Sequence, residues 1–104
     1  MSEVRVCSVH DVAPGTATRV DVEGHRLCVV NLGGHFSVIG DECSHADYSL
    51  SEGEVWEDEG TIECPQHGSM FLLATGEPMS LPATKPVPVY AARVSGDDVI
   101  VSVP

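Results

Sequence analysis

The chain has 104 residues, which is enough for one small domain and too few for two. Its 16 Asp and Glu residues against 5 Lys and Arg give a formal net charge of −11. That balance argues against nucleic acid and against an anionic membrane surface as partners, because both bind basic surfaces. Four Cys and five His in so short a chain are the unusual feature of the composition.

Strand patterns occupy both ends of the chain. Gly33-Gly34 predicts a tight hairpin between two apolar runs, and Ser95-Gly96-Asp97-Asp98 predicts a second hairpin between two β-branched runs. No window keeps a helical period over three turns, so we expect an all-β fold. The predicted strand runs are residues 3–7, 20–23, 26–32, 35–39, 87–94 and 99–103.

The middle of the chain, residues 40–84, differs from the two ends in composition and pattern. It is rich in Gly and Pro, its apolar residues are sparse, and it shows no strand pattern. Ordering each residue costs about 1–2 kcal/mol, so we expect this segment to need a bound metal centre as well as apolar burial. Six acids in twelve residues form a solvated face that could also steer a basic partner: Glu52, Glu54, Glu57, Asp58, Glu59 and Glu63.

Two Cys–His pairs lie within this segment. They are Cys43-Ser44-His45 and Cys64-Pro65-Gln66-His67, with 18 residues between them. One Zn²⁺ could take all four side chains, but a usual zinc finger draws both Cys from one element and both His from another. Here each loop supplies one of each, as a 2Fe–2S cluster requires when one iron takes both Cys and the other both His. The spacing favours the cluster and leaves zinc as the alternative.

The motif and its surroundings resemble the Rieske iron–sulfur family. Residues 43–53, 62–71 and 74–78 look like the small Rieske ferredoxins of multicomponent ring-hydroxylating dioxygenases, and the likeness covers about residues 3–103. The resemblance implies a Rieske-like fold of three antiparallel sheets. It divides the single domain into a basal β-domain, residues 1–40 and 83–104, and an inserted cluster-binding subdomain, residues 41–82.

The resemblance also implies a role for each ligand. Cys43 and Cys64 would hold the inner, ferric iron, while His45 and His67, with their outer edges facing solvent, would hold the reducible iron and pass the electron. Two imidazoles in place of two thiolates remove two negative charges. Rieske potentials therefore span about −150 to +300 mV, against about −400 mV for plant-type ferredoxins.

Residues around the motif adjust this potential. The Rieske proteins of respiratory complexes carry two further Cys that join the ligand loops, but Tyr48 and Gln66 stand at those positions here. Ser69 matches the family's hydroxyl donor to a bridging sulfide, whereas Phe71 replaces a Tyr whose hydroxyl reaches a ligand thiolate. With the acids nearby, these departures predict a potential in the lower part of the family range.

The remaining Cys, His and Trp residues are predicted to carry no cluster chemistry. Cys7 and Cys28 lie in strand patterns and are expected to be buried thiols, with a disulfide between them as the alternative. Trp56 either packs under the cluster loops or is exposed for docking. Three His residues are expected at the surface: His10, His25 and His35.

The predicted function is that of a one-electron carrier rather than an enzyme. It would hold one Rieske-type 2Fe–2S cluster and pass electrons from a flavin-dependent ferredoxin reductase to a terminal aromatic-ring dioxygenase, both docking through basic patches. With no signal peptide visible at the start, we expect a cytoplasmic location. We also expect the protein to be a monomer. The alternatives are a Rieske-like subunit or carrier for nitrite reductase or iron–sulfur biogenesis, and a structural zinc-binding module.

Overall fold

The computed structural model describes residues 2–43, 48–66, 68–81 and 83–104. Within these residues, the chain forms two 3-10 helices, Val9–Asp11 and Leu50–Glu52, and ten strands. The strands are β1 (Ser2–Ser8), β2 (Ala17–Val22), β3 (His25–Leu32), β4 (His35–Gly40), β5 (Glu54–Trp56), β6 (Thr61–Glu63), β7 (Met70–Leu72), β8 (Val89–Tyr90), β9 (Ala92–Ser95) and β10 (Asp98–Val103).

These strands form three antiparallel sheets, in the orders β1-β10-β9, β2-β3-β4-β8 and β5-β6-β7. The predicted all-β fold of three antiparallel sheets is therefore confirmed. No helix in the described ranges has the length and apolarity to cross a membrane.

Strand β3 separates two hydrophobic cores. Its residues 27–31 are all buried, and alternate side chains point to opposite faces of the sheet. Leu27 and Val29 join a core with the β10 valines, while Cys28 and Val30 join a second core. The β3–β4 hairpin turns at Gly33 and Gly34, whose φ angles of +67° and +106° are unfavourable for other residues. Both predicted hairpins, β3–β4 and β9–β10, are present.

The third sheet lies wholly inside the segment where no strand was expected, so that expectation is wrong. Strands of three residues are too short to show a period of two. Each of β6 and β7 contributes one fully buried apolar side chain, Ile62 and Phe71, which pair across the sheet. They join Leu50 in the second core with Val30 of β3. The division at residues 41–82 stays a prediction, and this core draws residues from both sides of it.

Candidate metal centre

Two buried thiols meet in the second core. Cys43 follows β4, Cys64 follows β6, and both are free and buried in this apolar cluster. The pKa of Cys64 is raised to about 11, chiefly by burial and also by the adjacent Cys43 thiol, while a hydrogen bond from the backbone N–H of Gln66 acts in the opposite direction. Two thiols held side by side in an apolar site form a donor pair for a soft or borderline metal ion.

Equivalent hydrogen bonds close the two segments that begin with these cysteines. The Cys43 N–H donates to the Tyr48 carbonyl at 3.0 Å, and the Cys64 N–H donates to the Ser69 carbonyl at 2.7 Å. We call residues 43–48 the first ligand loop and residues 64–69 the second ligand loop. The structure thus brings together the two predicted Cys ligands; the two predicted His ligands, His45 and His67, lie outside the described residues.

The described residues contain no group of three or more His, Cys, Asp or Glu side chains placed to hold a metal ion. The Cys pair nevertheless fits one iron of a 2Fe–2S cluster, since both thiols approach from separate loops with no disulfide between them.

Residues 79–81 and 83, which we call the strap, make hydrogen bonds to the second ligand loop and to β7. Fully buried Ser69 accepts a 3.1 Å hydrogen bond through Oγ from the Ala83 N–H, so its own hydroxyl proton remains to donate elsewhere. Further along, Met70 donates to Ser80 Oγ at 3.0 Å. The strap also exposes Leu81, which is 77% accessible.

Other predicted neighbours of the ligands occupy contrasting positions. Phe71 is fully buried in the second core, where its ring offers no hydrogen-bond donor. Tyr48 is exposed, and Gln66 is partly buried in the turn of the second ligand loop. No cysteine stands at either of the last two positions, so the loops lack the disulfide of respiratory Rieske proteins.

A buried charge two positions before Cys43 was not predicted from the sequence. Asp41 has no exposed side-chain surface, and its Oδ2 lies 3.5 Å from Nη2 of Arg26. Its carboxylate also accepts hydrogen bonds from the Ser49 hydroxyl and from the Ser51 N–H, the latter at 2.9 Å. The only sequence signal was an acid placed directly after a strand and two positions before a ligand cysteine.

The acidic segment forms a hairpin rather than a loop. Strands β5 and β6 pair across a turn that exposes Glu57, Asp58 and Glu59. Trp56 is 43% exposed, and its Nε1–H donates to Glu63 at 3.3 Å, so a large part of its ring is open to solvent. We call residues 52–63 the acidic hairpin. No ion pair within the described part of the chain involves its six acids.

The other cysteines and histidines follow the predictions with one exception. Cys7 and Cys28 are free buried thiols, and burial raises the pKa of both. His10 and His35 are exposed. The exception is His25, which is only partly exposed because it packs edge-on against Tyr90 with 5.9 Å between ring centres. Tyr90 reaches this place because β8 pairs with β4.

Comparison with known proteins supports the metal centre that the geometry indicates. A family model described as the Rieske [2Fe-2S] domain matches residues 2–91. The 3-phenylpropionate/cinnamic acid dioxygenase ferredoxin subunit of Escherichia coli (strain K12) is 41% identical over 104 residues, covering 100% of this chain and 96% of the relative.

Two solved structures are similar over nearly the whole chain. The ferredoxin of carbazole 1,9a-dioxygenase from Nocardioides aromaticivorans IC177 is 35% identical with a TM-score of 0.93, covering 98% of each chain. The second is a complex of reduced oxygenase and oxidized ferredoxin in carbazole 1,9a-dioxygenase. There the match is 40% identical with a TM-score of 0.87, covering 96% of this chain and 92% of the other.

Proposed function

The chain belongs to the Rieske [2Fe-2S] domain family, and from that premise we propose how its residues hold the cofactor and reach their redox partners. It is a ferredoxin, an electron carrier rather than an enzyme, and its cofactor is one Rieske-type 2Fe–2S cluster. The predictions of family, cofactor and carrier role are confirmed. The ligand assignment and the reductase remain proposals.

Four residues are proposed as ligands: Cys43, His45, Cys64 and His67. The observation that carries this assignment is the apposition of two buried, unoxidised thiols at the starts of two identically closed loops. When bound, the cluster accepts and releases one electron at a time. Zinc would use the same four side chains, but one Cys and one His from each loop is the arrangement that the cluster requires.

The chain's own residues shape the surroundings of this site. Leu50, Ile62 and Phe71 are fully buried beside the thiols and keep water from the Cys side. A backbone N–H of Gln66 donates to the Cys64 sulfur and favours its thiolate form. The Ser69 hydroxyl, with its Oγ already accepting from Ala83, is proposed to donate to cluster sulfur.

The electron acceptor is proposed to be the terminal oxygenase of an aromatic-ring dioxygenase system. The support is the 41% identity to a dioxygenase ferredoxin subunit and the similarity to a ferredoxin seen in complex with its oxygenase. The donor is proposed to be a flavin-dependent reductase, because a flavin can divide a two-electron donor's pair into the single electrons this carrier accepts.

Charge distribution supports docking by basic partner surfaces. All four arginines lie within 4.0 Å of an acid: Arg5, Arg19, Arg26 and Arg93. None of the hairpin's six acids forms an ion pair within 4.0 Å in the described residues, so the field of this segment favours encounter with a basic patch. Exposed Leu81 and Met79, on the strap beside the second ligand loop, add apolar contact area. The monomeric state and the cytoplasmic location stay predictions.

Metal analysis and spectroscopy test this proposal directly. The protein, purified without added metal, should be red-brown and contain iron and acid-labile sulfide in equal amounts. It should give an electron paramagnetic resonance signal after reduction by dithionite. Single Ala variants of the four proposed ligands should each lose the signal. A colourless zinc protein would refute the cluster, and a variant that keeps the native signal would remove that residue from the ligand set.

A further inference from the structure

We propose that Arg26 is a positioning residue for the cluster: it neutralises the buried Asp41 carboxylate that closes the first ligand loop, and thereby raises the reduction potential. The inference rests on the proposed function, because it takes Cys43 as a ligand. It concerns a charge network that lies outside the Cys–His motif.

Asp41 joins the chain segments that lie before and after the first ligand loop. It lies two positions before Cys43, and its main-chain carbonyl accepts a 2.6 Å hydrogen bond from the Leu50 N–H. Its side chain binds the residues on either side of Leu50, through the Ser49 hydroxyl and the Ser51 N–H. Three consecutive residues just beyond the loop are thus attached to Asp41, two positions before the loop begins.

Arg26 is the principal counter-charge of this carboxylate. Its Nη2 lies 3.5 Å from Asp41 Oδ2 and donates to Ser49 Oγ at 3.3 Å, while Nη1 donates to Glu42 at 3.3 Å. Strand pairing places it there, since the Asp41 N–H donates to the Arg26 carbonyl at 3.1 Å. Arg19 approaches Asp41 only to 4.0 Å and directs its hydrogen bonds to Asp21.

This network is close enough to the site to act on it electrostatically. Arg26, Asp41, Glu42 and Cys43 line one cavity of about 420 Å³. Reduction adds a negative charge to the centre, so a nearby guanidinium favours the reduced form and a nearby carboxylate opposes it. The buried carboxylate is screened by solvent far less than the exposed acids of the hairpin. Removing Arg26 would leave Asp41 without its nearest counter-charge.

Variants of opposite charge distinguish this role from simple support of the loop. In the cluster-loaded protein, Arg26→Gln should lower the midpoint potential and Asp41→Asn should raise it, with the double variant near the wild-type value. Arg26→Lys keeps the charge but not the two-pronged contact, so its potential should stay closer to wild type. Nε of Arg26 has no partner among the described residues, so the Lys variant loses no bond from that atom.

A distant ion pair provides the matched control. Arg93 binds Glu3 at 3.1 Å on the sheet β1-β10-β9, which carries neither ligand loop. Arg93→Gln changes the net charge by as much as Arg26→Gln, and Glu3→Gln by as much as Asp41→Asn. Both control variants should leave the midpoint potential unchanged.

Several results would overturn the inference. One is that Arg26→Gln and Arg26→Lys shift the midpoint potential equally. Another is that Arg26→Gln and Asp41→Asn shift it in the same direction. A third is that Arg93→Gln shifts it as much as Arg26→Gln does. If Asp41→Asn fails to hold the cluster, the Gln and Lys variants at position 26 decide the question by themselves. Absence of any 2Fe–2S cluster in the wild-type protein would instead refute the proposed function.

Discussion

Replacing Ser69 by Ala should lower both the stability and the reduction potential of this ferredoxin. The Ser69 Oγ is fully buried and accepts the Ala83 N–H at 3.1 Å, so truncation leaves that N–H without its partner in a buried place. An unsatisfied buried donor costs about 1–3 kcal/mol. For a domain of this size, each kcal/mol lowers the melting temperature by about 4–8 °C.

The redox effect of the same substitution follows from the hydroxyl proton. A hydrogen bond to cluster sulfur is stronger when the cluster is reduced, because the acceptor is then more negative. If that preference is about 1 kcal/mol, the typical net value of one hydrogen bond, losing it lowers the potential by about 40 mV. The conversion uses about 59 mV for each tenfold change in a one-electron equilibrium.

Ser80 supplies a matched control for this experiment. Its Oγ accepts the Met70 N–H at 3.0 Å, the same kind of bond on the same strap, but at an exposed position. Ser80→Ala should therefore cost less stability and leave the potential unchanged. Thermal unfolding and redox titration of both variants are the assays. A Ser69→Ala protein with the wild-type potential would refute the proposed donation to the cluster, and equal stability losses would refute the burial argument.

Three further predictions concern the thiols, the ring at position 71 and the acidic hairpin. Phe71→Tyr should raise the potential if the new hydroxyl reaches a ligand thiolate, as a redox titration would measure. Cys64→Ala should abolish cluster incorporation, whereas Cys28→Ala should retain it, although both thiols are fully buried in the same core. Asp58→Asn combined with Glu59→Gln should slow reduction by the reductase at low salt and weaken its salt dependence, as stopped-flow kinetics would measure.

Each of these predictions has its own contradicting outcome. An unchanged potential in Phe71→Tyr would mean that the hydroxyl lies out of reach. A cluster retained in Cys64→Ala, or lost in a folded Cys28→Ala protein, would contradict the ligand assignment. For the hairpin, Glu23→Gln is the control, since this exposed acid lies in the β2–β3 turn. This control removes one charge rather than two, so half the slowing from it would make net charge, rather than the hairpin, responsible.

Features that depend on local chemistry could be predicted from the sequence alone. Gly33-Gly34 marks a hairpin because both positions require positive φ, and the structure has both. The two Cys–His pairs identify a metal centre because ligands two or three positions apart can converge from one loop. The same motif, read as a resemblance, implied the Rieske family and its three-sheet fold, which the comparisons confirm.

Features that depend on contacts between distant segments were decided only by the tertiary structure. Sixteen acids look alike in the sequence, yet Asp41 alone among the described ones has no exposed side-chain surface and binds Arg26 on a neighbouring strand. Strands β5, β6 and β7 are too short to show a period, and they order because Ile62 and Phe71 reach a core shared with β3. Local spacing therefore determined which chemistry the chain carries. Long-range packing decided which charged side chain is buried near the ligand cysteine Cys43, because burial is a property of the whole fold.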